Sequence, residues 1–183
     1  YPDLELEYVF TDSGCELPET YEYLNRIRAV LNIEITVVKS ERDFDFWLQY
    51  YGGVLPSPQN RWCTRQLKIR PFEAFLDDDI SYSYIAIRAD EKREGYRNTK
   101  GNIIPKYPFV EDGLRLEDVI EILNDAGLGL PDYYKWRKRS GCYFCFYQTD
   151  EEWKGLKRHH PTEFEKACQY EENHADGRIY TWC

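Results

Sequence analysis

The sequence contains no methionine, and none of its apolar runs approaches the roughly 18 residues that a membrane-spanning helix needs. It opens with no hydrophobic leader, and no internal repeat or long linker divides it. These absences argue against a membrane protein, a secreted protein and a repeat array, so we expect a single globular domain in the cytoplasm. Because the chain starts at Tyr1 without a methionine and stops at Cys183, we also expect residues to be missing at both ends.

Basic residues are the minority among the charged ones, at 24 Lys and Arg against 33 Asp and Glu, which gives a net charge of −9. This balance excludes a protein that coats nucleic acid through bulk charge. Two local basic runs, 135–139 and 154–160, lie on either side of a cysteine pair. Each is most simply interpreted as a solvated helix face, although their position leaves a phosphate-binding role open. Aromatic residues make up 16% of the chain, which argues for a packed core rather than disorder.

The hydrophobic pattern predicts an α/β fold. Residues 6–11 and 33–38 are rich in β-formers, and an amphipathic helix is predicted over 18–31 between these two strands. A strand–helix–strand order is typical of a parallel sheet with crossover helices. Further predicted elements are helices over 44–51, 116–126 and 161–173 and a strand over 81–89. Residues 62–76 are predicted to form two short helices or one helix that restarts at Pro71.

Two polar loops follow predicted strands, where ligands bind in open parallel sheets. Glycine lets the backbone approach a ligand, and arginine holds phosphate through two donors. The candidate nucleotide-binding residues are Asp12, Ser13, Gly14, Arg88 and Arg93. The alternative is ordinary turn chemistry, in which Arg88 pairs with Asp90 or Glu91.

Six cysteines in a chain expected to be cytoplasmic indicate metal or redox chemistry rather than disulfides. Only Cys142 and Cys145 have ligand-like CxxC spacing. Two thiolates are too few for a metal centre, so we expect Cys63, and next Cys15, to join them. Cys168 is predicted to pack within a helix, and the role of Cys183 at the chain end is left open.

Five segments resemble elements of the PAPS reductase family and occur in that family's order. They are Phe10–Thr20 (a DTG…PET element), Arg61–Pro71 (WC[C/T]…LK…P), Ile87–Arg93 (R-A-D-E…R), Pro108–Val119 (P…DV) and Arg139–Cys145 (R-x-G-C-x-x-C). Each segment alone is weakly specific. Their common order over about three-quarters of the chain is the stronger signal.

The resemblance implies a Rossmann-like adenine nucleotide α-hydrolase fold, in which a parallel sheet is flanked by helices and a cysteine-bound centre is attached. Residues 1–183 would form one such domain, without its N-terminal PP-loop strand (SGGxDS) and part of its C-terminal tail. In the family the PP-loop holds the phosphates of ATP. A protein that lacks the loop altogether would not be expected to carry out this ATP chemistry.

Within the family, one cysteine followed by a CxxC pair is similar to sulfurtransferase-like members of the DNA phosphorothioation and phage type. This implies a 4Fe-4S cluster on Cys63, Cys142 and Cys145, with Cys15 as a further candidate ligand. Lys68 joins the three cysteines as a catalytic candidate, and ATP with Mg would activate the acceptor. The implied partners are an adenine nucleotide and a DNA or tRNA acceptor held with the help of another protein. A homo-oligomer is compatible with this reading, and no membrane is expected.

Two alternatives remain open. The first is a PAPS or APS reductase that releases sulfite, although the chain shows no ECGxH motif near its end and Thr64, not a second cysteine, follows Cys63. The second is a non-catalytic nucleotide-binding module in which zinc replaces the iron–sulfur centre and is purely structural.

Overall fold

The structure is a computed structural model that describes residues 4–93, 95, 100–138, 141–172 and 179–182. The chain divides into two compact units. The first unit is drawn from Tyr1–Phe72 and Pro131–Cys183, and the second is Glu73–Leu130. None of the described helices is both long and apolar enough to cross a bilayer.

The first unit begins with the strand–helix–strand element that the sequence predicts. Strands β1 (Tyr8–Asp12) and β2 (Ile35–Lys39) pair in parallel, with helix α1 (Pro18–Leu31) between them in the chain. Proline suits the first turn of α1 because a backbone N–H there has no partner within the helix. The helix ends where Asn32 turns left-handed, at φ 50°. The predicted bounds of α1 are confirmed, as is the parallel pairing.

A second helical region carries one of the predicted cysteines. Helix α2 (Phe44–Tyr50) is followed by α3 (Trp62–Thr64), a π-helical turn (Arg65–Ile69) and α4 (Arg70–Phe75). The sequence left open whether Pro71 separates two short helices or marks the restart of one. The chain stays helical through this region, and regular α-helix resumes at Arg70. A π turn widens the backbone just ahead of the proline, and this relieves the clash that its ring would make in a regular α-helix.

The second unit contains a parallel pair of short strands, β3 (Ser81–Tyr84) and β4 (Ile103–Lys106). Helices α5 (Pro108–Glu111) and α6 (Leu116–Asp125) follow. The predicted strand over 81–89 is therefore about half as long as expected, and β4 and α5 were not predicted. The predicted helix over 116–126 is confirmed to within one residue.

The chain returns to the first unit through a 3₁₀ turn (Asp132–Lys135), and then forms α7 (Asp150–His159) and α8 (Pro161–Glu172). Thr149 caps α7, since its hydroxyl accepts from the backbone N–H of Glu152 while the Glu152 carboxylate accepts from that of Thr149. Residues 154–160 were interpreted as a helix face, but the bounds of α7 were not predicted. The predicted α8 is confirmed, and its expected last residue, 173, lies outside the described residues.

Aromatic side chains form the core of the first unit and fix the CxxC segment to it. Phe44 of α2 is 1% exposed, and its ring centroid lies 3.9 Å from that of Phe144 and 5.0 Å from that of Trp62. Phe144 lies between the two cysteines of the CxxC pair and also stacks on Trp182 at 5.6 Å. The cysteine pair is therefore held by one of the most buried rings of the molecule.

The fold class is α/β, with small parallel sheets flanked by helices, as predicted. The described residues form two separate two-stranded sheets. The finer expectation, a Rossmann-like adenine nucleotide α-hydrolase sheet, remains a prediction.

Candidate cysteine centre

Two loops distant in sequence pair through their backbones and carry three of the cysteines. The loop after β1 and the CxxC segment meet in an antiparallel bridge between Glu16 and Cys142. The N–H of Leu17 donates to the carbonyl of Gly141 at 2.7 Å, and the N–H of Tyr143 donates to that of Cys15 at 3.0 Å. Cys15 and Cys142 are therefore brought to neighbouring positions. Ligation of a common group by the two remains a prediction.

The CxxC segment is a tight turn whose side chains divide between core and site. The N–H of Cys145 donates to the carbonyl of Cys142 at 3.3 Å, and the side-chain amide of Gln148 donates to the carbonyl of Tyr143 at 2.8 Å. Tyr143 and Phe144 point into the core, at 6% and 2% exposure. These bonds fix the direction of both thiols without using their sulfur atoms.

Cys63 and Lys68 reach the same region from the helical segment that begins at Trp62. Cys63 lies in α3, close enough to Cys145 for a charge on either sulfur to be felt by the other. Lys68 lies on the π-helical turn and is within electrostatic range of both Cys63 and Cys142. The structure thus gathers Cys15, Cys63, Cys142, Cys145 and Lys68 around one region of the first unit.

A buried carboxylate positions the lysine. Oε1 of Glu16 lies 3.2 Å from Nζ of Lys68 and also accepts a hydrogen bond from the Ser13 hydroxyl at 2.9 Å. Burial opposes the charge of Lys68, but Glu16 and the nearby thiols Cys142 and Cys63 outweigh burial and raise its pKa. Lys68 is therefore a fixed cation beside the cysteines.

Burial favours the protonated form of the thiols even with Lys68 beside them. It raises the pKa of Cys15 to about 12, that of Cys142 well above its ordinary value, and that of Cys63 less strongly. Glu16 adds to the effect on Cys142, whereas Lys68 opposes it. These thiols are poor nucleophiles by themselves, since the thiolate is the reactive form, and a bound metal ion is the usual means of deprotonating such groups.

Arg137 is the buried cation that sequence reasoning missed. It was interpreted as part of a solvated helix face, which is wrong, because Arg137 is 1% exposed. Its Nη2 donates to the carbonyl of Cys142 at 2.6 Å. Its Nε and Nη1 are buried and find no hydrogen-bond acceptor among the described residues. Burial lowers the pKa of Arg137, and the nearby Cys142 and Cys145 oppose that shift.

The cysteines fit a metal group by chemistry but are not already gathered around one ion. All four are free of disulfides, and two cations lie beside them. The unpaired donors of Arg137 suit a centre that carries negative charge, as metal–thiolate groups do. Within the described part of the chain, however, no three Cys, His, Asp or Glu side chains are grouped as ligands of a single metal ion.

The candidate nucleotide residues of the β1 loop differ in how accessible they are. Asp12 is 3% exposed and holds Lys39 at 2.8 Å, and it also accepts from the Tyr21 hydroxyl and the Gly14 N–H, both at 2.8 Å. Ser13 is buried against Glu16. Gly14, at φ 72°, lines a cavity of about 350 Å³ together with Tyr21 and Lys166. In this loop, only Gly14 is exposed to an incoming ligand.

The other two nucleotide candidates belong to the second unit. Nε of Arg88 lies 2.9 Å from Asp90 and Nη1 lies 3.1 Å from Glu91, while Nε of Arg93 lies 2.6 Å from Glu91. The ion pairs that were the alternative for Arg88 are therefore present. Phosphate binding by Arg88 and Arg93 would require these pairs to open, and it remains a prediction.

Besides Arg137, the sequence analysis overlooked Glu16, which orients Lys68 and bridges to Cys142. A signal was available, since Glu16 directly follows Cys15, and Arg137 precedes the CxxC pair by five residues. Neither residue, however, has a spacing that distinguishes it from surface charge. Their roles depend on the pairing of the two loops.

Comparison with known proteins gives three relatives without described activities. The chain is 23% identical over 173 residues to the uncharacterized protein MJ0973 of Methanocaldococcus jannaschii, and this match covers 88% of this chain and 40% of that protein. It is 26% identical over 187 residues to the uncharacterized protein MJ0066 of the same organism, and this match covers 93% of this chain and 38% of that protein. It is also 26% identical over 119 residues to the nin region protein ORF290 of Escherichia phage lambda, covering 49% and 40%.

No family model matches the chain. The chain spans about 40% of the length of the relatives it matches.

Proposed function

We propose that the chain is part of an ATP-pyrophosphatase-type sulfurtransferase of the PAPS reductase family, with a 4Fe-4S cluster at the cysteine centre. The observation that carries the proposal is the bridge between Glu16 and Cys142. It joins the loop at the carboxyl end of β1, where the family resemblance expects the nucleotide, to the CxxC pair. A nucleotide and a cysteine-bound sulfur source would therefore lie side by side.

Cys63, Cys142 and Cys145 would hold the cluster and leave one iron without a protein ligand. Cys15, the further candidate, would be a ligand only in place of one of these three. In a cluster each cysteine binds a different iron, so its ligands stand farther apart than the ligands of one ion. The lack of a three-ligand group for a single ion among the described residues is thus compatible with a cluster. When bound, a cluster with three protein ligands supplies an open iron that binds inorganic sulfide.

The chain's own residues would set the charge and dryness of the site. Lys68, held by Glu16, and Arg137, held by the carbonyl of Cys142, place two cations beside the thiolates. Tyr143 and Phe144 exclude water from the back of the pair. Positive charge and apolar packing of this kind stabilise an anionic centre and tune its chemistry.

The reaction that we propose is redox-neutral. An oxygen of the acceptor attacks the α-phosphorus of ATP, the α–β phosphoanhydride bond breaks, and pyrophosphate leaves with Mg. Hydrosulfide then bonds to the activated acceptor atom, and AMP departs with the oxygen. The sum is acceptor–OH plus ATP plus hydrosulfide giving acceptor–SH plus AMP plus pyrophosphate.

The nucleotide would lie near the exposed Gly14 of the first unit. Arg88 and Arg93 of the second unit stay candidate phosphate ligands on the family resemblance alone. Most of the grip on ATP would come from a PP-loop in the full-length protein. The acceptor that we propose is a nucleic acid, DNA or tRNA, bound with a partner protein because the chain carries a net charge of −9.

One preparation tests these assignments. Full-length protein, purified anaerobically, should be brown, contain iron and inorganic sulfide, and release pyrophosphate from ATP only when acceptor and sulfide are present. Release of sulfite from PAPS or APS would instead favour the PAPS or APS reductase. A colourless protein that contains zinc and shows no activity would instead favour the non-catalytic nucleotide-binding module.

A further inference from the structure

One stretch of this acidic chain is free of acidic residues. No aspartate or glutamate occurs between Asp45 and Glu73, although the chain has 33 of them. The same stretch contains Arg61, Arg65, Lys68 and Arg70. Lys68 is engaged at the cysteine centre, and this leaves three arginines whose role the proposed function does not include.

The three arginines meet at a cavity of about 410 Å³ in the first unit. Arg61, Arg65 and Arg70 line it with the aromatic rings of Tyr51 and Trp62 and the amide of Asn60. All three arginines are exposed, and none of the residues that line the cavity is acidic. Like charges held this close repel one another unless an anion lies between them.

The contacts of these arginines leave their charges uncompensated. Nη1 of Arg70 donates to the neutral amide of Gln66 at 2.8 Å, and Arg61 lies over the ring of Tyr147 at 5.9 Å. Arg65 has no side-chain contact recorded within the described part of the chain. No described carboxylate forms an ion pair with any of the three, whereas Arg88 in the second unit has two such partners.

An exposed aromatic surface continues from this cavity along α2. Tyr51 stacks on Trp62 at 5.2 Å and meets the ring of Tyr50 edge-on, also at 5.2 Å. Tyr50 is 67% exposed and stacks with Phe46, which is 39% exposed. Arg42 lies over Phe46 at 4.9 Å. The rings of Phe46 and Tyr50 are thus partly exposed to solvent along α2, between Arg42 at one end and the arginine-lined cavity at the other.

We propose that this arginine–aromatic surface (Arg42, Phe46, Tyr50, Tyr51, Arg61, Arg65 and Arg70) binds a single-stranded nucleic acid. Arginine forks bind phosphate oxygens, and open aromatic rings stack on unpaired bases. An acidic peptide would use the arginines but would leave the rings uncovered, so the combination favours nucleotides. That the bound nucleic acid is also the sulfur acceptor rests on the proposed function. The binding itself does not depend on the cluster or on ATP.

The test measures fluorescence anisotropy of labelled oligothymidylate and oligouridylate of roughly 12 nucleotides with the full-length protein. Arg65→Glu should weaken binding at least tenfold, and Arg65→Ala should reduce the slope of log K against log salt by about 0.7, the loss of one phosphate contact. Tyr50→Ala should weaken binding about tenfold, while Tyr50→Phe should keep it, because the ring alone stacks.

The matched control is Arg26→Glu on α1, an exposed arginine of the first unit that does not line the cavity. It changes the net charge as Arg65→Glu does and should leave the affinity within about twofold. An equal loss in both variants would overturn the proposal in favour of bulk charge. Tyr50→Ala without effect, or polyglutamate competing as well as oligothymidylate, would overturn the assignment to single-stranded nucleic acid.

Failure of this inference and failure of the proposed function are distinguishable. Oligonucleotide binding that persists in a Cys63→Ser variant without any pyrophosphate release would uphold the surface and refute the sulfurtransferase. Normal pyrophosphate release by Arg65→Glu, with oligonucleotide affinity unchanged, would refute the surface and uphold the enzyme.

Discussion

Gly141 is the residue at which the pairing of the two loops is most sensitive to a small change. A Cβ at this position would collide with Oγ1 of Thr20 and lie 3.2 Å from Oε2 of Glu16. Its carbonyl accepts the 2.7 Å hydrogen bond from Leu17, so the backbone cannot retreat without weakening the pairing. We therefore expect Gly141→Ala to lower the free energy of unfolding by about 1–3 kcal/mol, the usual cost of overfilling a packed site.

Urea denaturation followed by tryptophan fluorescence measures this effect selectively, because all five tryptophans lie in the first unit. Thr20→Ala removes the colliding oxygen and provides the second arm of a double-mutant cycle. The loss in free energy of unfolding in the double variant should be smaller than the sum of the losses in the two single variants, by at least about 0.5 kcal/mol. Additive effects, with Gly141→Ala within about 0.5 kcal/mol of the parent protein, would refute the reasoning.

Two further predictions concern a cysteine and a buried carboxylate. The Cys63→Ser variant of the full-length protein, purified anaerobically, should contain less iron than the parent protein, whereas the Cys168→Ser variant in α8 should contain as much. Equal iron contents in the two variants would contradict ligation by Cys63. Glu152→Gln should destabilise the first unit by about 1–3 kcal/mol at pH 7, because the N–H groups of Lys138 and Thr149 donate to its two oxygens at 2.7 and 2.9 Å. Burial opposes ionisation of Glu152, but these hydrogen bonds outweigh burial and hold the pKa of the carboxyl below its ordinary value. The ionised carboxylate therefore stabilises the fold fully above the unfolded-state pKa of about 4.3. This stabilisation is lost as the pH falls through the lower folded-state pKa. The difference between variant and parent should therefore narrow below about pH 4, and a constant difference down to about pH 2 would falsify the assignment.

Sequence patterns were sufficient where local rules dominate. The bounds of α1 follow from Pro18 at its start and from the end of its apolar periodicity at Leu31, and the structure has the same bounds. Strand β4 was missed because four residues that include Pro105 do not make a strand pattern by themselves. Its partner β3 supplies the hydrogen bonds, and that pairing is a long-range property that a local window does not contain.

At Pro71 the sequence rules allowed two outcomes, a break between two short helices or a helix that restarts. Proline normally ends a helix because it removes one hydrogen bond and crowds the preceding turn. Here the π turn ahead of it absorbs the ring, and the helical direction continues into α4. The same turn carries Lys68, so an irregularity that sequence rules treat as an end instead positions a side chain at the site.

The cysteines were predictable because CxxC spacing and residue type already carry the chemistry. What the sequence could not supply was the charge that surrounds them. Arg137 and Lys138 look alike in a basic run, yet the first is 1% exposed beside Cys142 and the second is exposed to solvent. A buried guanidinium with two unsatisfied nitrogens is costly unless an anionic group completes its hydrogen bonds. Neutral thiols are weak acceptors, whereas metal-bound thiolates and inorganic sulfide are anionic ones. Among the described residues Nε and Nη1 of Arg137 have no acceptor, and this supports the proposal that an anionic group belongs to the cysteine centre.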